Sequence, residues 1–287
     1  MPAPYSPSVR RRRLSAELKR LRKEAGLTLL DAAKGAGMGK SNLSKIEQAE
    51  SKTVPAKTLD RLLDLYKVTS PQTREALHAL ARDAQQRGWW SKYKEIFKEQ
   101  ALPDFEAEAS LIRTFEAQMI PGLLQTPEYT EALLMGRRYT APDTIKRKVE
   151  ARMARREILH TFNPAKLRAV IDEAALRRVI GDPSTHLEQL KHLLHMAQLP
   201  NVDVQILPFS AGSHAALGAP FTILDFPDPL DLPIVYVETA SDGLFLEDPD
   251  EVEQHSATFG DAQGSAMSTA HSARFITEVL NSLESYA

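Results

Sequence analysis

Leu29-Leu30-Asp31-Ala32-Ala33-Lys34, then Gly35-Ala36-Gly37-Met38-Gly39, then Lys40-Ser41-Asn42-Leu43-Ser44-Lys45-Ile46-Glu47: this stretch decides how the N-terminal part of the chain folds. Thr28 is placed to N-cap a short helix running from Leu29 to about Lys34. The glycines around Ala36 make a turn, and Gly37 lets the chain reverse. A second short helix is expected from about Lys40 to Gln48, with Leu43 and Ile46 turned inward. Ala32 and Ala33 are small enough for the two helices to cross closely. Gly39, Lys40, Ser41, Asn42, Ser44 and Lys45 are then left on the outer face and leading end. Short or basic side chains are what a groove-facing surface requires.

Working outward, Leu14, Leu18 and Leu21 recur at helical spacing ahead of this pair, and Gly26 supplies a left-handed C-cap. A fourth helix starts near Pro55 or Thr58, with Leu59, Leu62, Leu63 and Tyr66 as its apolar stripe. Pro71 opens a fifth that continues to about Gln86. Charge follows the same division. Residues 1–68 carry 15 Lys+Arg against 7 Asp+Glu, whereas residues 201–287 carry Arg274 alone against 14 acidic residues. A basic head on an acidic body implies that only the head meets a polyanion.

These residues resemble a known family. Leu21-Arg22-Lys23-Glu24-Ala25-Gly26-Leu27-Thr28, Ala32-Ala33 and Gly37 to Glu47 are similar, in register, to the phage-repressor (Xre-type) helix-turn-helix over about residues 12–68. The resemblance implies base-reading by Lys40, Ser41 and Lys45, with Asn42 and Ser44 near phosphate or bases. It also implies a structural role for Glu47, pairing with Arg22 or another basic side chain of the first helix. Lysine suits guanine O6/N7, and asparagine suits adenine. Arg10, Arg11, Arg12, Arg13, Lys19, Arg22 and Thr28 are candidate backbone contacts. Leu29 and Gly39 depart from the family, which often has a polar residue at the first position and Ser or Thr at the second.

Beyond residue 86 the pattern changes. The expected organisation is a flexible 1–9, a five-helix helix-turn-helix domain over 10–86, a connecting segment 87–110 and an α+β regulatory or dimerisation domain over 111–287. Residues 106–160 read as helical. Strands are expected at 167–171, 202–207, 221–226, 234–238 and 244–246, giving a four- to five-stranded sheet. Residues 260–273, small and polar, read as a loose connection before a last amphipathic helix. The fold class is therefore an all-α head followed by an α+β body.

The body also resembles a family. Trp89-Trp90-x-x-Tyr93, Glu106-x-Glu108-Ala109, Ile120-Pro121-Gly122-Leu123-Leu124-Gln125-Thr126-Pro127-x-Tyr129, Asp172-Glu173-Ala174-Ala175-Leu176-Arg177, Leu199-Pro200-Asn201-Val202, Leu207-Pro208-Phe209, Pro220-Phe221 and Leu246-Glu247-Asp248 stand in order. They are similar to the uncharacterised C-terminal domain attached to Xre-type regulators of filamentous actinobacteria. That resemblance implies an antitoxin-like regulator encoded beside a small partner protein.

Several features have a structural reading beside a functional one. Trp89 and Trp90 are either packing at a domain end or stacking surfaces for a ligand. The corner at Gln125 and Thr126 is either structural or an anion site at a helix start. Arg137, Arg138, Lys146, Arg147, Lys148, Arg152, Arg155 and Arg156 are either a solvated helix with its own ion pairs or a contact surface. His192 and His195 are three apart on a helix, a pair that by itself does not complete a metal site. Asp225, Glu238, Glu247 and Asp248 are either a carboxylate pair for catalysis or, more simply, acidic surface.

Zero cysteines exclude a disulfide framework, a cysteine nucleophile and a thiolate metal site. No phosphate-binding glycine loop, H-E-x-x-H or G-x-S-x-G occurs. The expectation is a cytoplasmic, non-enzymatic, sequence-specific DNA-binding regulator without cofactor or metal. It is expected to be a homodimer on an operator, away from membranes. A small partner protein or a sensed small molecule would supply the alternative roles.

Overall fold

A computed structural model describes residues 7–85, 89–97, 102–136, 141–228, 231–239 and 243–285. The chain divides into two compact units, Met1–Lys92 with Asp228–Asp231, and Tyr93–Pro227 with Leu232–Ala287.

The first unit has five helices: α1 Pro7–Glu24, α2 Leu29–Gly35, α3 Lys40–Glu47, α4 Ala56–Leu65 and α5 Pro71–Asp83. Its core gathers one face from each, with Leu18, Ala32, Leu43, Leu59, Leu62 and Leu63 essentially inaccessible. The caps follow the sequence. Thr28 Oγ1 accepts from Asp31 N at 3.2 Å, and Gly26 and Gly37 take φ of +71° and +68°. Two expectations change. α1 starts at Pro7, so residues 7–9 are helical rather than a flexible lead. Arg10 to Arg13 accordingly sit in the first turns of α1 and do not form a free arm.

The second unit continues with α6 Lys94–Phe97, α7 Leu102–Glu108, β1 Leu111–Glu116, α8 Pro127–Met135, α9 Pro142–Arg156, β2 Lys166–Asp172, α10 Glu173–Arg177, α11 Pro183–Met196 and β3 Val202–Leu207. Then come β4 Phe221–Asp225, β5 Ile234–Glu238, β6 Gly243–Leu246, α12 Pro249–Ser265 and α13 Thr269–Glu284. The strands form one sheet in the order β3-β2-β1-β4-β5-β6. β3, β2 and β1 run parallel, while β1, β4, β5 and β6 are antiparallel neighbours.

The expected four or five strands are therefore six. The addition is β1, a central strand in a region read as helical. Residues 260–273 are also not loose. α12 runs through to Ser265, and α13 starts at Thr269. The turn between α12 and α13, with the first turn of α13, seals the edge of the sheet. Met267 N donates to Ile206 O at 2.9 Å, and Ser272 Oγ accepts from Ile206 N at 2.9 Å. An edge strand with its polar groups met in this way is closed to further pairing there.

α12 lies across one face of the sheet, where Phe115, Ile223, Val235, Val252 and Phe259 form the core. On that face Arg113 of β1 makes a two-pronged pair with Asp225 of β4, both contacts 2.8 Å. Side chains alternate along a strand, so the opposite face carries Ile112, Thr114 and Glu116 of β1. Thr222, Tyr236 and Glu238 join them there from β4 and β5.

Candidate DNA-reading helix and a buried polar cavity

In the first unit, α3 is pinned by Leu43 and Ile46, which are 0% and 6% exposed. Lys40, Ser41, Asn42 and Lys45 are exposed, and Ser44 is half-buried. Gly39 caps α3 without a side-chain hydrogen bond. The first N–H groups of α3 therefore stay open to a phosphate.

The end of α3 is tied to α1. Arg22 Nε and Nη2 donate to Glu47 Oε1 and Oε2 at 2.7 and 2.8 Å, and Nη1 donates to Leu27 O at 2.8 Å. Glu47 thus has the partner that the resemblance implied. Arg22 was also a candidate backbone contact, but all three of its nitrogens are engaged inside the domain. Thr28 caps α2 and donates to Asp31 Oδ2 at 2.5 Å. Arg13 is ion-paired with Asp228, within the same unit. Lys19 is exposed on α1.

Trp89 and Trp90 lie in a single 3₁₀ turn, edge to face with centroids 6.0 Å apart. Neither is among the residues that line the cavity described next.

The second unit holds a cavity of about 410 Å³. Its floor is the β1, β4 and β5 face carrying Thr114, Glu116, Thr222, Tyr236 and Glu238. Its other walls come from α7, from the turn at Pro121-Gly122-Leu123, and from Lys148, Arg152 and Arg155 of α9. Thr114 and Thr222 are cross-strand partners whose hydroxyls meet at 3.0 Å. Arg155 Nε lies 3.0 Å from Glu106 Oε2, but neither atom makes a well-directed hydrogen bond. Burial pushes the Glu106 carboxyl up to about 6, against the pull of Arg155 and Arg152. Burial, with the nearby Glu238 carboxylate, pushes Glu116 further, to about 8.

Gln125 is fully buried and serves the wall. It donates to Ile120 O at 2.7 Å, while Oε1 accepts from Thr130 at 3.0 Å and from Arg152 Nη1 at 2.7 Å. Gly122 leaves room for the arginines, since a Cβ there would lie 2.9 Å from Arg155 Nη2. Thr126 caps α8, accepting from Tyr129 N at 3.2 Å, and its own N–H donates to Gln189 Oε1 at 2.8 Å. The corner is therefore built from internal bonds.

The basic run of α9 turns partly inward. Arg147 meets Glu95 and Glu150, Arg156 donates to Gln125 O, and Arg152 and Arg155 face the cavity. Arg137 and Arg138 lie outside the described residues. Arg156 Nη1 and His192 Nε2 are 3.2 Å apart, and burial with that guanidinium lowers His192 to about 4. No group of three or more His, Cys, Asp or Glu able to hold a metal occurs among the described residues. Of the suspected acidic surface, Asp225 is paired with Arg113, Asp248 caps α12, and Glu238 lines the cavity. Glu106 and Glu116 are the cavity acids that sequence reasoning did not single out as a site. Glu106 appeared only inside a motif, and Glu116 lay in a supposed helix.

Among the described residues no helix is long and apolar enough to cross a membrane. Comparison with known families finds a helix-turn-helix domain over residues 13–77 and a domain of unknown function, DUF5753, over residues 100–278. No curated protein and no solved structure matches the chain. The first unit is a helix-turn-helix domain of the DNA-binding kind, and the second match spans more than half the chain. The chain belongs to the DUF5753 family.

Proposed function

We propose that this chain is a sequence-specific transcription regulator of the Xre type that inserts α3 into the major groove. The observation that carries this reading is α3 itself. A helix anchored by Leu43 and Ile46, and clamped by Arg22–Glu47, presents Lys40, Ser41, Asn42 and Lys45 to solvent. Lys40, Ser41 and Lys45 read base edges, and Asn42 and Ser44 contact bases or phosphate. Lys19, Arg10, Arg11, Arg12, Arg13 and Thr28 are the remaining backbone contacts of this reading, Arg22 being held by Glu47.

One head of this size makes few contacts. A two-fold dimer on half-sites ~34 Å apart, or a multiple of that, supplies the rest. Autoregulation from the chain's own promoter fits an antitoxin-like regulator of actinobacterial type. The second unit takes the regulatory input. The polar cavity favours a small molecule as that input over a partner protein.

The test is fluorescence anisotropy against the upstream DNA and a scrambled duplex over a salt series. The expected result is tight binding to the upstream DNA alone, lost in a Lys40→Ala, Lys45→Ala double variant. Equal, weak binding to both duplexes overturns operator recognition on that promoter.

A further inference from the structure

We propose that the cavity of the second unit binds a small organic amine. Its ammonium group sits between Glu116 and Glu238, and its apolar body lies against Ile112, Leu123 and Tyr236. This extends the reading of the second unit as the one that takes the input. Its test needs no DNA, so either reading can fail while the other stands.

The argument starts from cost. Polar side chains on a covered sheet face lose water and must be met by other polar groups. Thr114 and Thr222 meet each other. Arg155 is committed to Glu106, and Arg152 to the Gln125 carboxamide. Glu116 has no hydrogen bond or ion pair among the described residues, and it meets the two arginines only at electrostatic range. Glu238, the second acid of that face, is exposed at the end of β5, so Glu116 is the half-buried carboxyl left there without a hydrogen bond or ion pair among the described residues.

Charge sets the sign of the ligand. The cavity's arginines already face carboxylate or amide oxygen, and one further cation, Lys148, stands against two acids, Glu116 and Glu238, which face each other as like charges. Without a ligand, Glu116 keeps its proton. A bound ammonium replaces that proton, donates to both carboxylates and lets both ionise. The Tyr236 ring, beside Glu238 on β5, adds an aromatic surface suited to a cation.

Size sets the class. A cavity of about 410 Å³ falls within the roughly 300–1,000 Å³ of small-molecule sites. Ile112, Leu123, Leu134 and Phe221 give it apolar walls. The walls need a carbon body, which a bare metal ion lacks, and the donor set falls short of a metal cluster.

The test uses the full chain. 2-Phenylethylamine and isoamylamine are titrated by calorimetry and ligand-observed NMR, beside 2-phenylethanol and phenylacetate. Both amines are expected to bind saturably at millimolar concentration, and the alcohol and acid about tenfold more weakly or not at all. Near neutral pH, binding should release a proton as Glu116 ionises, seen as heats that differ between buffers of different ionisation enthalpy. Lys148, Arg152, Arg155, Glu106, Glu238 and Tyr129 also face this group and set how complete that release is. Glu116→Gln should abolish the proton release and weaken the amines about tenfold. Glu238→Gln should weaken them while keeping part of the release. The proposal is overturned if neither amine binds, if phenylacetate binds better than the amines, or if Glu116→Gln binds them unchanged with the same buffer dependence.

Discussion

Arg22 and Glu47 are 25 residues apart in sequence and form a parallel two-bond pair, with side chains 11% and 5% exposed. The pair joins the last turn of α1 to the last residue of α3. Removing one partner strands a buried charge, whereas removing both does not. Glu47→Gln is therefore expected to cost about 3 kcal/mol in the first unit. The pairing raises the Arg22 pKa, so the guanidinium stays charged and cannot adapt. An Arg22→Met, Glu47→Leu double variant should recover much of the loss. Denaturant unfolding of the four proteins of this cycle measures the coupling, and additive losses would refute it.

Gly37 holds the turn between α2 and α3 at φ +68°. A Cβ there would meet only Arg61 Nη1, at 3.8 Å, so the obstacle is torsional. Gly37→Ala should cost roughly 1–2 kcal/mol through the left-handed backbone. Thermal unfolding checks this. No loss would mean that the turn relaxes to negative φ.

Lys19 and Lys45 are both exposed, but on different helices. Lys19→Ala should weaken all duplexes alike and reduce the salt slope by about one, as expected for one phosphate contact. Lys45→Ala should instead erase part of the preference for the operator. Salt-dependent anisotropy separates the two patterns, and identical behaviour of the two variants would contradict the assignment.

The second unit should lose stability as pH rises. Glu116 sits near 8 when folded against an ordinary value of 4.5. Its contribution is complete below 4.5 and drains away as pH climbs through 8. Glu106, near 6, adds a smaller fall that ends earlier. His192 acts oppositely. Its folded value near 4 lies below the ordinary 6.5, so its contribution is present above 6.5 and lost as pH falls toward 4. Scanning calorimetry across this range should show a fall on the alkaline side that Glu116→Gln abolishes down to the part that Glu106 supplies. An unchanged pH profile in that variant would rule out the buried acid as its cause.

The helical head was legible because its signals are local. Thr28 caps within three residues, Gly26 and Gly37 take the φ that only glycine adopts easily, and Leu43 and Ile46 share one face of a short helix. The clamp between Arg22 and Glu47 came from resemblance, since nothing in spacing brings those residues together.

β1 stayed hidden for a physical reason. Strands are recognised by apolar residues alternating with polar ones. In Leu111–Glu116 one face carries Ile112, Thr114 and Glu116 toward the cavity, and the other carries Arg113, which needs Asp225, 112 residues away. Both faces are mixed, so the period vanishes. The cavity that makes the strand worth finding is also what disguises it. Residues 260–273 misled differently. Their small side chains resemble a linker, but Ala262 and Ser272 are fully buried. Ser272 is small because its hydroxyl must reach the backbone of β3.

The place of β1 at the centre of the sheet has a consequence for synthesis. It pairs with residues 166–171 on one side and 221–225 on the other. A chain growing from its N-terminus completes the helical head from local contacts, then carries β1 unpaired until residues 166–171 emerge and half-paired until residues 221–225 follow. Until β4 emerges, Ile112 and Phe115 have one flank without a partner, and Arg113 waits for Asp225. The second unit is thus the late and vulnerable step of biogenesis. Chain truncation before residue 221 should release a folded head attached to an aggregation-prone body.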